Sequence, residues 1–283
     1  MADRIVITGA GGQVGRYLSA DAGRKGLDVL ALTSAQWDIT DAGAAERTIE
    51  PGDIVVNCAA YTAVDAAEAD PERAHAVNAA GPGVIAQACA TAGARMIHIS
   101  TDYVFSGAFD GVPRPYDVDD ATGPLSVYGK TKLAGERAVH AVLPDAHVVR
   151  TAWVYTGDGT DFVGTMRRLA AGDGPVSVVV DQTGSPTYSG DLVDALLSLA
   201  ERPTAPPLLH VCNEGAASRF EQARAVFEGV GADPDRVRPV SSEDVPRPAA
   251  RPPYSALSGR SATAAGLAPL RPWRDALAVA IVN

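Results

Sequence analysis

Thr8-Gly9-Ala10-Gly11-Gly12-Gln13-Val14-Gly15 decides how this chain is read. It follows Arg4-Ile5-Val6-Ile7-Thr8, a short β-branched run that favours a strand. It leads into residues 13–22, which read as a helix. Gly9, Gly12 and Gly15 stand at every third position. In a strand–turn–helix unit, one such glycine permits the tight turn and one lets backbone approach a pyrophosphate. The third lets helix and strand pack closely, and the free N–H groups at the helix start face the phosphates. A glycine triple alone is weak evidence, but between a first strand and a first helix it marks a dinucleotide-binding unit. Gln13 and Val14, inside the turn, join the three glycines as candidate cofactor contacts.

Outward from this stretch, strand and helix signals alternate. Strands are expected at residues 28–32, 53–57, 95–100 and 147–150, and helices at 41–50, 78–92 and 126–142. Asp41 is a possible cap, Pro51-Gly52 a stop, and Gly93 a second stop. Residues 95–100 read as continuous rather than alternating, as suits a strand covered on both faces. The alternation predicts an α/β fold: a Rossmann-type, doubly wound parallel sheet with right-handed crossovers. Beyond residue 151 the regularity loosens. Helices are expected at 162–171 and 192–201, strands at 176–181 and 208–212, and an irregular Pro- and Arg-rich segment at 238–253. Residues 1–150 are read as the dinucleotide-binding core, and 151–283 as a smaller, mainly substrate-binding part with segments returning to the core.

Bulk properties narrow the function classes. The chain has 283 residues, 46% hydrophobic and 20% charged, with a net charge of −10. Such acidity, with no basic run, argues against nucleic acid or an anionic membrane as partner. A phosphorylated small molecule stays open, because local donors bind phosphate on an acidic protein. Cys58, Cys89 and Cys212 are odd in number and widely spaced, so they read as reduced thiols of a cytoplasmic protein. The five histidines show no metal-ligand spacing, and no metal is predicted. No apolar run reaches the roughly 18 residues of a membrane span, and Met-Ala-Asp-Arg runs directly into a strand without a signal peptide.

The chemistry is carried by a rare residue. Only three of the 24 basic residues are lysine, and two of them lie in Tyr128-Gly129-Lys130-Thr131-Lys132. Tyr128 and Lys132 are four apart, hence on one helix face. A compact cation there can hold the phenol near a nicotinamide ribose and lower its pKa from about 10, which a planar guanidinium does poorly. Ser100-Thr101-Asp102-Tyr103 ends the fourth strand, and ligands of doubly wound sheets bind beyond strand carboxyl ends. Thr101, Tyr128 and Lys132 together suit carbonyl reduction: a hydrogen-bond donor, a proton donor and a stabiliser of the phenolate left behind. Small residues of Asn57-Cys58-Ala59-Ala60-Tyr61-Thr62, namely Ala59, Ala60 and Thr62, leave room for the cofactor. Asp38-Ile39 is a candidate adenine contact. Leu32-Thr33-Ser34 stands where an acid would bind a ribose 2′-hydroxyl, and Arg16 is near, so NADPH is favoured with NADH as the alternative.

These stretches resemble an extended short-chain dehydrogenase/reductase, and within that group the dTDP-4-dehydrorhamnose reductase family. The resemblance rests on Gly-Gly-Gln-Val-Gly (11–15), Val-Asn-Cys-Ala-Ala-Tyr-Thr-Ala-Val-Asp-Ala-Ala-Glu (56–68) and Ser-Thr-Asp-Tyr-Val-Phe (100–105). It continues through Pro-Leu-Ser-Val-Tyr-Gly-Lys-Thr-Lys-Leu-Ala-Gly-Glu (124–136), Arg-Thr-Ala-Trp-Val-Tyr (150–155), Asp-Gln-Thr-Gly-Ser-Pro-Thr (181–187) and Arg251-Pro252. It implies NAD(P)H-dependent reduction of the C4 ketone of dTDP-4-dehydro-L-rhamnose, to dTDP-L-rhamnose or a close dTDP-deoxysugar, by a monomer or homodimer. It places Thr101, Tyr128 and Lys132 at the chemistry, and Asp102, Tyr103, Trp153, Gln182 and Arg251 on the sugar or nucleotide side. Two positions depart from the family pattern. Tyr254 follows Arg251-Pro252-Pro253 where Asn is usual, and Tyr17 stands where some relatives carry a magnesium-binding Glu. Two rivals are weaker. A dehydratase would carry Asp-Glu after the Thr, where this chain has Asp102-Tyr103, and a non-catalytic regulatory subunit would have no use for Thr101, Tyr128 and Lys132 together.

Overall fold

The computed structural model describes residues 4–157 and 159–282. Six parallel strands form the central sheet: Ile5–Thr8, Val29–Leu32, Ile54–Asn57, Arg95–Thr101, His147–Thr151 and Leu208–His210. Numbered in chain order, they lie side by side as 2-1-3-4-5-6. The chain leaves the first strand toward one edge and returns past it to the third. Connections therefore diverge between strands one and three, and a crevice opens beyond their carboxyl ends. The register lines up Thr8 with Asn57 and Asn57 with His98, so the fourth strand runs on past its neighbour to Thr101. That overhang carries Thr101 into the crevice.

Both faces of the sheet are covered, which explains its continuous apolar strands. On one face Leu18 of helix Gln13–Arg24 and Leu192 and Leu196 of helix Ser189–Ala200 pack on Ile5, Ile7, Ile97 and Val149. On the other, Ile85 and Cys89 of helix Gly81–Ala92 and Val139 of helix Val127–Val142 pack on Val6, Val55, Met96 and Val148. Each fully buried Leu or Ile side chain contributes about 2 kcal/mol. A third apolar cluster includes Tyr155, Val163, Met166, Val226, Phe227, Trp273 and Leu277, all from beyond residue 151.

The expected elements of the first half are present, with ends moved by a residue or two. Asp41 caps helix Ala42–Thr48 by accepting from Ala44 N, and Gly93 ends its helix at φ 70°. The helix expected from residue 78 instead begins at Pro71, passes through a π turn at Ala76–Ala80 and continues to Ala92. The wide turn fits Asn78, whose side chain bonds Tyr61 N (2.8 Å), Tyr61 O (3.1 Å) and Thr131 Oγ1 (3.2 Å). Helices Val64–Ala69, Arg219–Gly229 and Trp273–Val282 are additional to those expected. The segment read as irregular from residue 238 starts within strand Val237–Val240, which pairs with Val176–Val179. Its Pro239 weakens a strand signal that only the partner strand supplies. Residues 208–210 return to the sheet beside the fifth strand.

Candidate active site

The glycine turn is built by close backbone approach. Gly9 has φ 63°, and a Cβ there would lie 2.6 Å from Ala59 N. A Cβ on Gly15 would lie 2.3 Å from Gly9 O. At Gly12, the N-cap of helix Gln13–Arg24, a Cβ would meet Gly9 O at 3.3 Å, and among the described residues no side chain caps this helix. Thr8 Oγ1 donates to Asn57 Oδ1 (2.6 Å), and Ala59 N donates to Thr8 Oγ1 (3.3 Å) and Asn57 Oδ1 (3.2 Å), lacing strands one and three together. Gln13 Nε2 reaches across to Asp161 Oδ2 at 3.4 Å.

Tyr128 and Lys132 share one face of helix Val127–Val142, whose N-cap Ser126 accepts from Gly129 N at 3.1 Å. Gly129 lets this helix abut the fourth-strand end, since a Cβ there would lie 2.3 Å from Tyr103 O. Lys132 is buried, and its Nζ donates to Ile99 O at 2.6 Å. Burial pulls the ammonium down to about 8, with Glu136 opposing. Burial raises the Tyr128 phenol above its ordinary value, while a hydrogen bond with the Thr101 hydroxyl pulls it back and the Asp102 charge pushes it up further. Desolvation dominates, so the phenol lies above its ordinary value rather than below it.

Thr101 Oγ1 donates to Asp102 Oδ1 at 3.0 Å and accepts from Tyr103 N at 3.2 Å. Asp102 is 2% exposed, and burial lifts its carboxyl to about 6 against hydrogen bonds from Ser255 (2.5 Å) and Thr101. Behind it Ser100 Oγ donates to Glu136 Oε1 (2.5 Å), and Glu136 receives the fork of Arg150 at 2.9 and 2.7 Å.

The opposite wall comes from farther along the chain. Trp153 has φ 47°, unusual for a bulky residue, and a Cβ on Gly184 would lie 2.4 Å from its ring. The Arg219 guanidinium carbon lies 3.5 Å from the centre of the Trp153 ring. Gln182 O accepts from Arg219 N at 3.1 Å. Arg251 forks onto Asp65 at 3.0 and 2.8 Å and hydrogen-bonds the Tyr103 phenol, so it is not a free surface charge.

A cleft of about 530 Å³ joins these parts. Of the residues expected from the sequence, Gly12, Gln13, Val14, Ala60, Thr62, Thr101, Asp102, Tyr128, Lys132 and Trp153 line it. Gly9, Gly15 and Ala59 shape the turn beneath it rather than lining it. Tyr103, Gln182 and Arg251 are not part of the lining. Asp38 and Ile39 are also outside it. The Asp38 carboxyl accepts from Thr40 N and Oγ1 (2.9 and 2.8 Å), which holds it below the usual carboxylate range, and Ile39 is buried against Gly81. Sequence reasoning did not single out Thr151 and Thr160, which line the cleft, or Asp65, Arg219 and Ser255, which brace it. Their types are ordinary surface and turn residues, and no local spacing marks them.

The RmlD substrate binding domain family matches residues 3–283. The dTDP-4-dehydrorhamnose reductase of Mycolicibacterium smegmatis is 64% identical over 282 residues, 99% of this chain and 86% of that protein. That of Mycobacterium tuberculosis (strain H37Rv) is 63% identical over 281 residues, 99% and 92%. This chain belongs to the dTDP-4-dehydrorhamnose reductase family. Among solved structures, that family's enzyme from Bacillus anthracis, in complex with NADP, superposes with a TM-score of 0.94. It is 35% identical, and the match covers 100% of this chain and 99% of that one. The Rossmann-type sheet expected from the sequence is thus also the fold of solved reductases of the family.

Proposed function

We propose that this chain reduces the C4 ketone of dTDP-4-dehydro-L-rhamnose with NADPH, giving dTDP-L-rhamnose or a close dTDP-deoxysugar. The observation that carries this reading is the convergence of Thr101, Tyr128 and Lys132 on one cleft that also contains the glycine turn. The turn suits a dinucleotide: its glycines let the backbone fold closely on itself, and among the described residues no side chain caps its helix start. Arg16 lines the same cleft and no acid ends the second strand, which favours NADPH, with NADH as the alternative. Gly12, Gln13 and Val14, on the turn that Gly9 and Gly15 shape, would hold the phosphates, and Ala60 and Thr62 the central part. When bound, the cofactor supplies hydride.

The chain's own groups manage the proton. Thr101 Oγ1 offers its hydrogen to the substrate carbonyl oxygen, which requires it to turn from Asp102. Tyr128 gives its phenolic proton to that oxygen. The phenol is protonated near neutral pH and so has a proton to give. Lys132 stabilises the resulting phenolate. Asp102 and Trp153 face the sugar, and residues 1–150 and 151–283 divide the binding of cofactor and substrate. The same reading makes the enzyme cytoplasmic, monomeric or homodimeric. The test is NADPH oxidation with dTDP-4-keto-6-deoxy-L-mannose generated enzymatically from dTDP-glucose. Substrate-dependent consumption is expected, with product NMR fixing the sugar; a chain that binds NADPH yet consumes none would refute the reading.

A further inference from the structure

Most arginines beneath or behind the cleft have a carboxylate partner. Arg150 has Glu136 and Arg251 has Asp65. Arg219 differs: among the described residues, none of its contacts is an ion pair. It opens helix Arg219–Gly229, and its guanidinium carbon sits 3.5 Å from the Trp153 ring centre and 4.8 Å from that of Phe162. One Nη donates to a neutral acceptor, Gln222 Oε1, at 3.1 Å. The charges of Asp102 and Arg251 reach it only through space, and burial draws its pKa down to about 10. Arg219 is half-buried, and a partly desolvated cation without a counter-ion is costly to keep. It is kept against a tryptophan that lines the cleft and itself holds a strained backbone at φ 47°.

We propose that Arg219 is the cation that receives the diphosphate of the dTDP-sugar, with Trp153 as the platform beneath it. This rests on the reductase reading above. A guanidinium has five donors in a planar fork that matches phosphate oxygens, and aromatic faces hold that fork without consuming its donors. Arg251 is a weaker choice, because its fork is taken by Asp65. The glycine turn and Arg16 serve the cofactor's phosphates on the other wall, so the cleft has two separate anion sites.

The test measures dTDP and NADP⁺ affinity by calorimetry, together with kinetics and thermal unfolding, on the full chain and on Arg219→Met and Arg219→Lys. Methionine keeps length and packing while removing a costly charge, so Arg219→Met should unfold at the same temperature or higher. Its dTDP affinity should fall about tenfold or more, since charge-assisted hydrogen bonds are lost. NADP⁺ affinity should hold, and KM for the ketosugar should rise more than kcat falls. Arg219→Lys should recover part of the loss, restoring charge but not the fork. Unchanged dTDP affinity in Arg219→Met, or parallel loss of dTDP affinity, NADP⁺ affinity and stability, overturns the assignment. If the wild type reduces the ketosugar and binds dTDP while both variants match it, the Arg219 assignment fails alone. If the wild type neither binds dTDP nor reduces the ketosugar, the reductase reading falls with it.

Discussion

The two walls of the cleft are made by different means. On the proposed reading the nucleotide wall is backbone and faces a substrate wall: it is Gly9, Gly12 and Gly15 at the end of a strand, laced to the third strand through Thr8 and Asn57. The substrate wall is side chains: Trp153 under Arg219, Arg251 on Asp65, and Asp102 under Ser255. Backbone walls depend on which residues lack a Cβ. Side-chain walls depend on which distant groups are brought within reach, and they carry buried charge. The first kind tolerates almost no added volume. The second stores electrostatic cost that a ligand can relieve.

Substitutions can break or sharpen this contrast. The largest effect is expected where the walls meet. Tyr128→Phe should cut turnover about a thousandfold, in the usual range for a lost general acid, with NADP⁺ affinity nearly intact; stopped assays plus calorimetry would check it. The next concerns charge in the substrate wall. Asp102 is held at about 6 in the folded chain against 3.8 for an ordinary aspartate, so the folded state binds this proton more tightly. Its contribution therefore favours folding at low pH and is lost as pH rises through that window. Urea unfolding should show the wild type losing about 3 kcal/mol relative to Asp102→Asn between about pH 3 and pH 7. A flat difference would mean that the carboxyl is not desolvated.

Lys132→Arg should lower kcat about a hundredfold, because a wide fork cannot replace a buried point charge. In the nucleotide wall, Gly15→Ala should cost about 2 kcal/mol of stability, the usual penalty of overpacking, and weaken NADP⁺ binding. A variant that binds NADP⁺ normally would show that the turn is looser than its 2.3 Å approach to Gly9 O implies. The smallest change is expected at the third lysine. Lys25 bridges Asp21 and Asp194 at the surface, and Lys25→Arg should alter stability by under about 0.5 kcal/mol and leave turnover alone. Equal effects at Lys25 and Lys132 would detach lysine usage from the chemistry.

By itself the sequence determined the sheet, the glycine turn and the Tyr128–Lys132 face. These arise from interactions a few residues apart: strand pattern, a missing Cβ, an i,i+4 spacing. Tertiary structure alone decided the substrate wall. Asp65 meets Arg251 across 186 positions, and Ser255 meets Asp102 across 153. Such partners are chosen by where the whole packed chain carries its irregular segments, and no local pattern records that. Tertiary structure also decided the state of Tyr128. Spacing pointed to a phenol eased by a lysine, but burial is a property of everything packed around it, and it pushed the phenol the other way.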